Sequence, residues 1–272
     1  MKIKKIKILL VILAVSIFVS VFFILRREYV VPIFMYHSVR KDNPSSTKLI
    51  VSPKAFEEQM RFLAKNSYNV ISLSCLARII QENKKIPPKT VVVTFDDGYR
   101  DNFLNAKPIL EKYLIPATIF IAVDFIGQQI KQSSYFVDSS EFMSIEELKS
   151  LVDSEFIDLG IHTFSHVDLV KLDEQNDLIH EIKEPKEFLE EQLDCEMDLF
   201  SYPFGSFDKR SRSIVLQSGY VAAVATNPGR DYPKNDVFVL KRIRISEKDS
   251  NPFILWVKAS GFYTLLKELR DD

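Results

Sequence analysis

Only two cysteines, Cys75 and Cys195, occur in the chain. Two thiols so far apart form no disulfide framework, and each is expected to fill a core position. No cysteine stands directly after the apolar run near the N-terminus, which argues against a lipoprotein anchor. The formal net charge is −1, so there is no basic field of the kind that nucleic-acid binding needs. No glycine-rich phosphate loop follows the first strand-like stretch, which argues against dinucleotide binding. Repeats and low-complexity tracts are missing as well. What is present is apolar: 46% of the 272 residues are hydrophobic, ample for a core. That length admits one large domain or two small ones, and α/β barrels reach it as one.

The N-terminus stands apart. Lys2, Lys4, Lys5 and Lys7 precede an apolar run over residues 8–25, interrupted only by Ser16 and Ser20 and closed by Arg26 and Arg27. At 1.5 Å per residue the run spans about 27 Å, close to the hydrocarbon thickness of a bilayer. No small-x-small cleavage site is evident after Phe22, and the lysine excess before the run favours a cytoplasmic N-terminus. Residues 1–28 therefore read as a membrane anchor or, alternatively, a cleaved signal segment. Residues 29–272 read as one domain outside the membrane, or secreted if the segment is removed.

Within that domain, strand-like and helix-like stretches alternate about seven times. Strands are expected at 30–36, 91–95, 117–123, 156–161, 199–202, 221–225 and 238–245. Helices are expected from Ser52-Pro53 to about 66, over 73–82, over 102–113, and from the Ser144/Glu147 capping box to about 154. Further helices cover 173–193 with a kink at Pro185, a stretch ending near Gln217 before Gly219, and one opening at Pro252. Residues 124–143 look irregular, and a loop that long in a compact domain is often functional. The alternation calls for parallel strands with crossover helices, and a barrel is preferred over a doubly wound sheet.

Chemistry gathers where strands end. TVVVTFDDGYRDN (90–102) is an unbroken β-branched and aromatic run that stops at Asp96-Asp97-Gly98. Adjacent carboxylates repel unless a cation sits beside them or their side chains diverge. His162 and His166, two of only four histidines, lie four residues apart after another strand, so both imidazoles can share one metal from a helical turn or a tight loop. Asp97 or Asp96 could complete a His-His-Asp site with open positions. FSYPFGSFD (200–208) places Pro203 and Gly205 around Phe204 at a third strand end, and MYHSV (35–39) puts His37 at a fourth. Each stretch alone has an ordinary reading as a turn, cap or surface histidine. In a βα-barrel, however, all four converge on one rim.

TFDDGYRDN, HTFSH and SYPFG together resemble the polysaccharide deacetylases of the NodB-homology type, carbohydrate esterase family 4. MYHSV resembles the subgroup that includes biofilm poly-N-acetylglucosamine deacetylases. The resemblance covers about residues 30–246. It implies a distorted (β/α)7 barrel and a divalent metal ion, often zinc, serving the hydrolysis of N-acetyl groups on a glycan. By position, Asp96 corresponds to the general base, Asp97, His162 and His166 to the metal ligands, and Phe204, beside Tyr202, to the aromatic at the oxyanion and substrate site. Two departures follow. The leucine-x-histidine motif that supplies the acid in many relatives is missing from LKRIRIS (240–246), leaving His37 as the expected acid. Ser201 stands where many relatives carry an arginine that orients the catalytic aspartate, so Arg242, or else Arg244, is expected to substitute. His180, inside an amphipathic helix, is expected to be a surface or structural residue.

The leading expectation is a membrane-tethered, metal-dependent N-deacetylase of an extracellular or cell-wall polysaccharide. The alternatives are a carbohydrate O-acetyl esterase, as on acetylated xylan, and an inactive glycan-binding barrel.

Overall fold

A computed structural model of the protein describes residues 29–43, 47–132, 136–226, 233, 235–264 and 267. The N-terminal segment 1–28, with the expected membrane helix, lies outside the described residues; among those described, no helix is long and apolar enough to cross a membrane.

The strands run in chain order as β1 (Ile33–Tyr36), β2 (Ser38–Val39), β3 (Ile50–Val51), β4 (Asn69–Val70), β5 (Thr90–Phe95), β6 (Ala117–Ile121), β7 (Gln129–Ile130), β8 (Ser140–Glu141), β9 (Ile157–Ile161), β10 (Leu199–Ser201), β11 (Ala222–Ala225) and β12 (Leu240–Arg244). Seven of them close a parallel barrel in the order β1-β5-β6-β9-β10-β11-β12, with β12 returning to β1. The ring is uneven: β9 and β10 are joined through Phe200↔Ile161 alone, whereas β6 and β9 pair over five residues. Strand β4 adds a short pairing at the start of β5.

Among the described residues the α-helices are α1 (Pro53–Lys65), α2 (Leu73–Gln81), α3 (Lys107–Tyr113), α4 (Ile145–Val152), α5 (Gln175–Ile182), α6 (Glu184–Leu193), α7 (Lys209–Gln217) and α8 (Pro252–Lys258). Their ends follow local chemistry. Ser52 caps α1 by accepting from the Ala55 N–H, and Ser144 and Glu147 close a reciprocal capping box on α4. The helix expected over 173–193 breaks at Lys183 into α5 and α6. Pro185 lacks the N–H that would reach back to the Glu181 carbonyl, and its ring crowds that carbonyl.

Period-two alternation sorts β5 between two layers. Val91, Val93 and Phe95 point outward into the main core with Phe56, Met60 and Leu63 of α1 and Leu110 of α3. Val92 points inward with Ile33, Phe120, Leu199 and Leu240, and Leu73, Leu76 and Ala77 of α2 close that end of the barrel. Each fully buried side chain of this size contributes roughly 1.5–3 kcal/mol. Higher in the barrel the interior turns polar, with Thr94, Ser201 and Arg242 buried there. Phe120 needs Gly160 opposite it: a Cβ on Gly160 would lie 2.7 Å from the ring and 2.9 Å from the Leu199 carbonyl oxygen.

Two stretches depart from expectation. The stretch 124–143 carries regular elements among its described residues, with a 3-10 turn at Val123–Phe125 and the antiparallel pair β7/β8. Their aromatic side chains explain the order, because Phe136 and Phe142 pack on Tyr99 in a separate apolar cluster. The helix expected from residue 102 begins as a π-turn, Asn102–Ala106, before α3.

Candidate metal centre and catalytic rim

Asp96 continues the inward-facing row of β5 above Thr94 and meets Arg242 of β12. Two parallel hydrogen bonds join them, Nη1 to Oδ1 at 2.6 Å and Nη2 to Oδ2 at 2.7 Å. The same guanidinium donates to Ser201 Oγ at 2.9 Å and to Thr94 Oγ1 at 3.3 Å, and it lies 5.7 Å from the Phe120 ring centroid. Arg244 is exposed and does not join this pair. Burial alone would raise the Asp96 pKa. The Arg242 charge, the nearby imidazoles and the paired hydrogen bonds outweigh it and hold the carboxyl below its ordinary range.

Asp97 diverges. Its φ of +75° and that of Gly98, +77°, turn the chain out of the strand. Asp97 Oδ1 ends 3.5 Å from His162 Nε2 and 3.3 Å from His166 Nε2, and the three ligand atoms all lie within 4.8 Å of one another. The imidazoles come from the loop after β9, which is a tight turn rather than a helical one. Thr163 and His166 have φ of +65° and +57°, and the His166 N–H donates to Thr163 Oγ1 at 3.0 Å.

His162 Nδ1 is 2.7 Å from the Ser201 carbonyl, so that nitrogen carries the proton and donates it. The Nε2 lone pair is thereby left facing a carboxylate oxygen. Asp97 Oδ1 is buried and makes no hydrogen bond among the described residues. Two acceptors 3.5 Å apart repel each other, which is the arrangement a cation resolves. Ligands about 2.0–2.1 Å from a tetrahedral ion stand about 3.3–3.4 Å apart. The donor set therefore fits a divalent metal. Burial, foremost, lowers the His162 pKa from 6.5 to about 4, keeping it neutral. Burial would lower His166 too, but the Asp97 carboxylate 3.3 Å from its Nε2 reverses that and raises the pKa. Those imidazoles in turn outweigh burial at Asp97 and hold its carboxyl far below the ordinary value.

His37 leaves β1, which lies between β5 and β12 in the closed barrel, and is half-buried beside both aspartates. Burial pushes its pKa down, and the charges of Asp97 and Asp96 oppose that shift. Phe204 is half-exposed, with φ +59°, and its ring stands edge-on to His166 at 4.9 Å. Gly205 follows at φ +71°, where a Cβ would lie 2.5 Å from the Thr226 nitrogen. Tyr202 is buried. Alternation along β10 turns Ser201 inward and Tyr202 outward, so the Tyr202 ring is buried against Phe200 and Phe207 and its N–H donates to the Val224 carbonyl. His180 is an exposed helix residue paired with Glu184 at 2.7 Å, as expected.

Sequence reasoning noted Ser201 only as a departure and missed Phe136. Ser201 links His162 to Arg242, and Phe136 brings its ring to 4.9 Å from His166. A cavity of about 390 Å³ beside His166 is lined by Phe125, Phe136, Asp168, Lys171 and Phe204.

A family model described as polysaccharide deacetylase matches residues 83–223. The chain belongs to the polysaccharide deacetylase family. This member is 30% identical over 215 residues to YxkH of Bacillus subtilis (strain 168), which carries a provisional polysaccharide deacetylase name; the match covers 79% of this chain and 71% of YxkH. It is 24% identical to the poly-beta-1,6-N-acetyl-D-glucosamine N-deacetylase of Staphylococcus aureus (strain MRSA252), over 78% of this chain and 77% of that protein. Among solved structures, the Streptococcus pyogenes deacetylase PplD in complex with acetate superposes with a TM-score of 0.72 at 26% identity, covering 85% of this chain and 98% of that one.

Proposed function

We propose that this family member is a metal-dependent N-deacetylase that removes acetyl groups from N-acetylglucosamine-type residues of an extracellular or cell-wall polysaccharide. The observation that carries the reading is Asp97 Oδ1: buried, without a hydrogen-bond donor, and aimed between two imidazole nitrogens at 3.3 and 3.5 Å. Asp97, His162 and His166 would hold the ion, and two imidazoles with one carboxylate suit zinc foremost. The ion, when bound, supplies Lewis acidity that brings the pKa of water towards about 7 and polarises the acetyl carbonyl.

The remaining steps belong to the side chains. Asp96, ionised and fixed by Arg242, takes the proton of the water that attacks the acetyl carbon. The backbone N–H of Phe204, carried on the left-handed turn before Gly205, donates to the developing oxyanion. As the C–N bond breaks, His37 gives a proton to the departing sugar amine, leaving acetate and a free amine. The name of the Staphylococcus aureus relative supports the choice of an N-acetylated glucosamine polymer. The apolar run over residues 8–25 supports a single-pass tether in the cell membrane with the barrel outside, or secretion if it is cleaved.

Acetate release from an N-acetylated β-linked glucosamine oligosaccharide, with and without a chelator, tests the reading. Release that chelation stops and zinc restores is expected. Release from O-acetylated xylan alone would make the protein an esterase, and no release from either would make it a binding barrel.

A further inference from the structure

We propose that Glu181, on α5 and away from the cleft, is a positioning residue that sets where both imidazoles stand; the inference rests on the metal reading above. Glu181 is only 5% exposed and shares the apolar face of α5 with Leu178 and Ile182. A carboxylate there is costly unless its oxygens are fully used. Among the described residues no lysine or arginine pairs with it. Three donors from one loop satisfy it instead: the Phe164 N–H at 3.0 Å and the Ser165 N–H at 2.9 Å to Oε2, and the Ser165 hydroxyl at 2.5 Å to Oε1. These residues are the middle of His162-Thr163-Phe164-Ser165-His166.

The loop needs such a hold. Thr163 and His166 both adopt left-handed backbone conformations, each costing on the order of 1–3 kcal/mol. From the opposite side, the Val123 and Asp124 N–H groups donate to the Thr163 and Phe164 carbonyls. The chain beyond β6 thus holds the loop's acceptors while Glu181 holds its donors. A side chain that served packing alone on this face would be a leucine. The charge-assisted bonds give Glu181 a second task, which is to keep the two imidazole nitrogens at a spacing one ion can span.

The test is zinc affinity of the full chain, measured by competition with a chromophoric chelator, with the thermal midpoint of the metal-free protein followed in parallel. Glu181→Ala is expected to raise the zinc Kd about 10- to 100-fold. Glu181→Gln is expected to stay within about threefold of wild type, because its amide oxygen can accept both backbone N–H groups while its NH2 donates to the Ser165 hydroxyl. Should Glu181→Ala fail to fold, Ser165→Ala removes one of the three bonds and is expected to raise Kd about three- to tenfold. Zinc binding within about twofold of wild type in a folded Glu181→Ala or in Ser165→Ala overturns the clamp, as does a loss in Glu181→Gln equal to that in Glu181→Ala. A wild-type chain that takes up no zinc refutes the metal site itself.

Discussion

Asp96 and Asp97 are neighbours in sequence with opposite surroundings. Asp96 spends both oxygens on Arg242, whereas Asp97 keeps one buried oxygen for the two imidazoles. That divergence suits Asp96 to the proposed role of base and Asp97 to the proposed role of metal ligand. Two outcomes follow at this scale. His37→Gln is expected to lower kcat by at least about 100-fold, the usual worth of a general acid, while zinc content stays at the wild-type level; near-normal turnover would remove His37 from the reaction. The second concerns pH. His162 is neutral above about pH 4, whereas the Asp97 carboxylate raises the pKa of His166 above its ordinary value, so His166 gains a proton first as pH falls. Asp97 stays ionised throughout. A metal entering the site once His166 is protonated, and while His162 is still neutral above about pH 4, displaces one proton, so its affinity should fall about tenfold for each unit the pH is lowered. Titrations across that window check the slope; a hundredfold fall per unit would mean that both imidazoles carry protons.

Strand ends and helix caps were legible because each rests on a short-range rule. Unbroken β-branched runs gave β5 its buried pattern, and Ser144 with Glu147 marked α4. Position along a strand was harder to read: Tyr202 lies one residue from Ser201, and only the closed barrel decides which of them faces inward. Arg242 was reachable because Ser201 replaces a familiar arginine, and the structure selects it over Arg244. Glu181 was overlooked although a signal existed, since an acid on the apolar face of α5 breaks the pattern set by Leu178 and Ile182. Residues 124–143 gave no period because their order comes from rings meeting Tyr99, a long-range contact. Packing between elements yields its own expectation. Gly160→Ala pushes a methyl group into Phe120, which supports the Arg242 guanidinium, and should cost about 1–3 kcal/mol in a denaturation experiment. An unchanged midpoint would show that Phe120 can move aside.

For the whole molecule, topology explains why one site draws on residues as distant as 37 and 242. The barrel closes by seating β1 between β5 and β12, so a histidine near the start of the domain stands beside aspartates from the middle and an arginine near its end. The TFDDG and HTxxH segments were recognisable as words, but their meeting required seven parallel strands with the same polarity. The proposed tether belongs to this scale too. The full chain is expected in the membrane fraction, resistant to a high-salt wash, with the barrel open to protease from outside the cell; release by salt alone would contradict a spanning segment.

The most direct test is the metal content of the purified full chain after exposure to zinc and dialysis, compared with that of single variants. The account predicts one ion per wild-type chain, none in Asp97→Ala or His162→Ala, and one still in Asp96→Asn and His37→Gln. Retention in Asp97→Ala, or loss in Asp96→Asn with the fold intact, would contradict it.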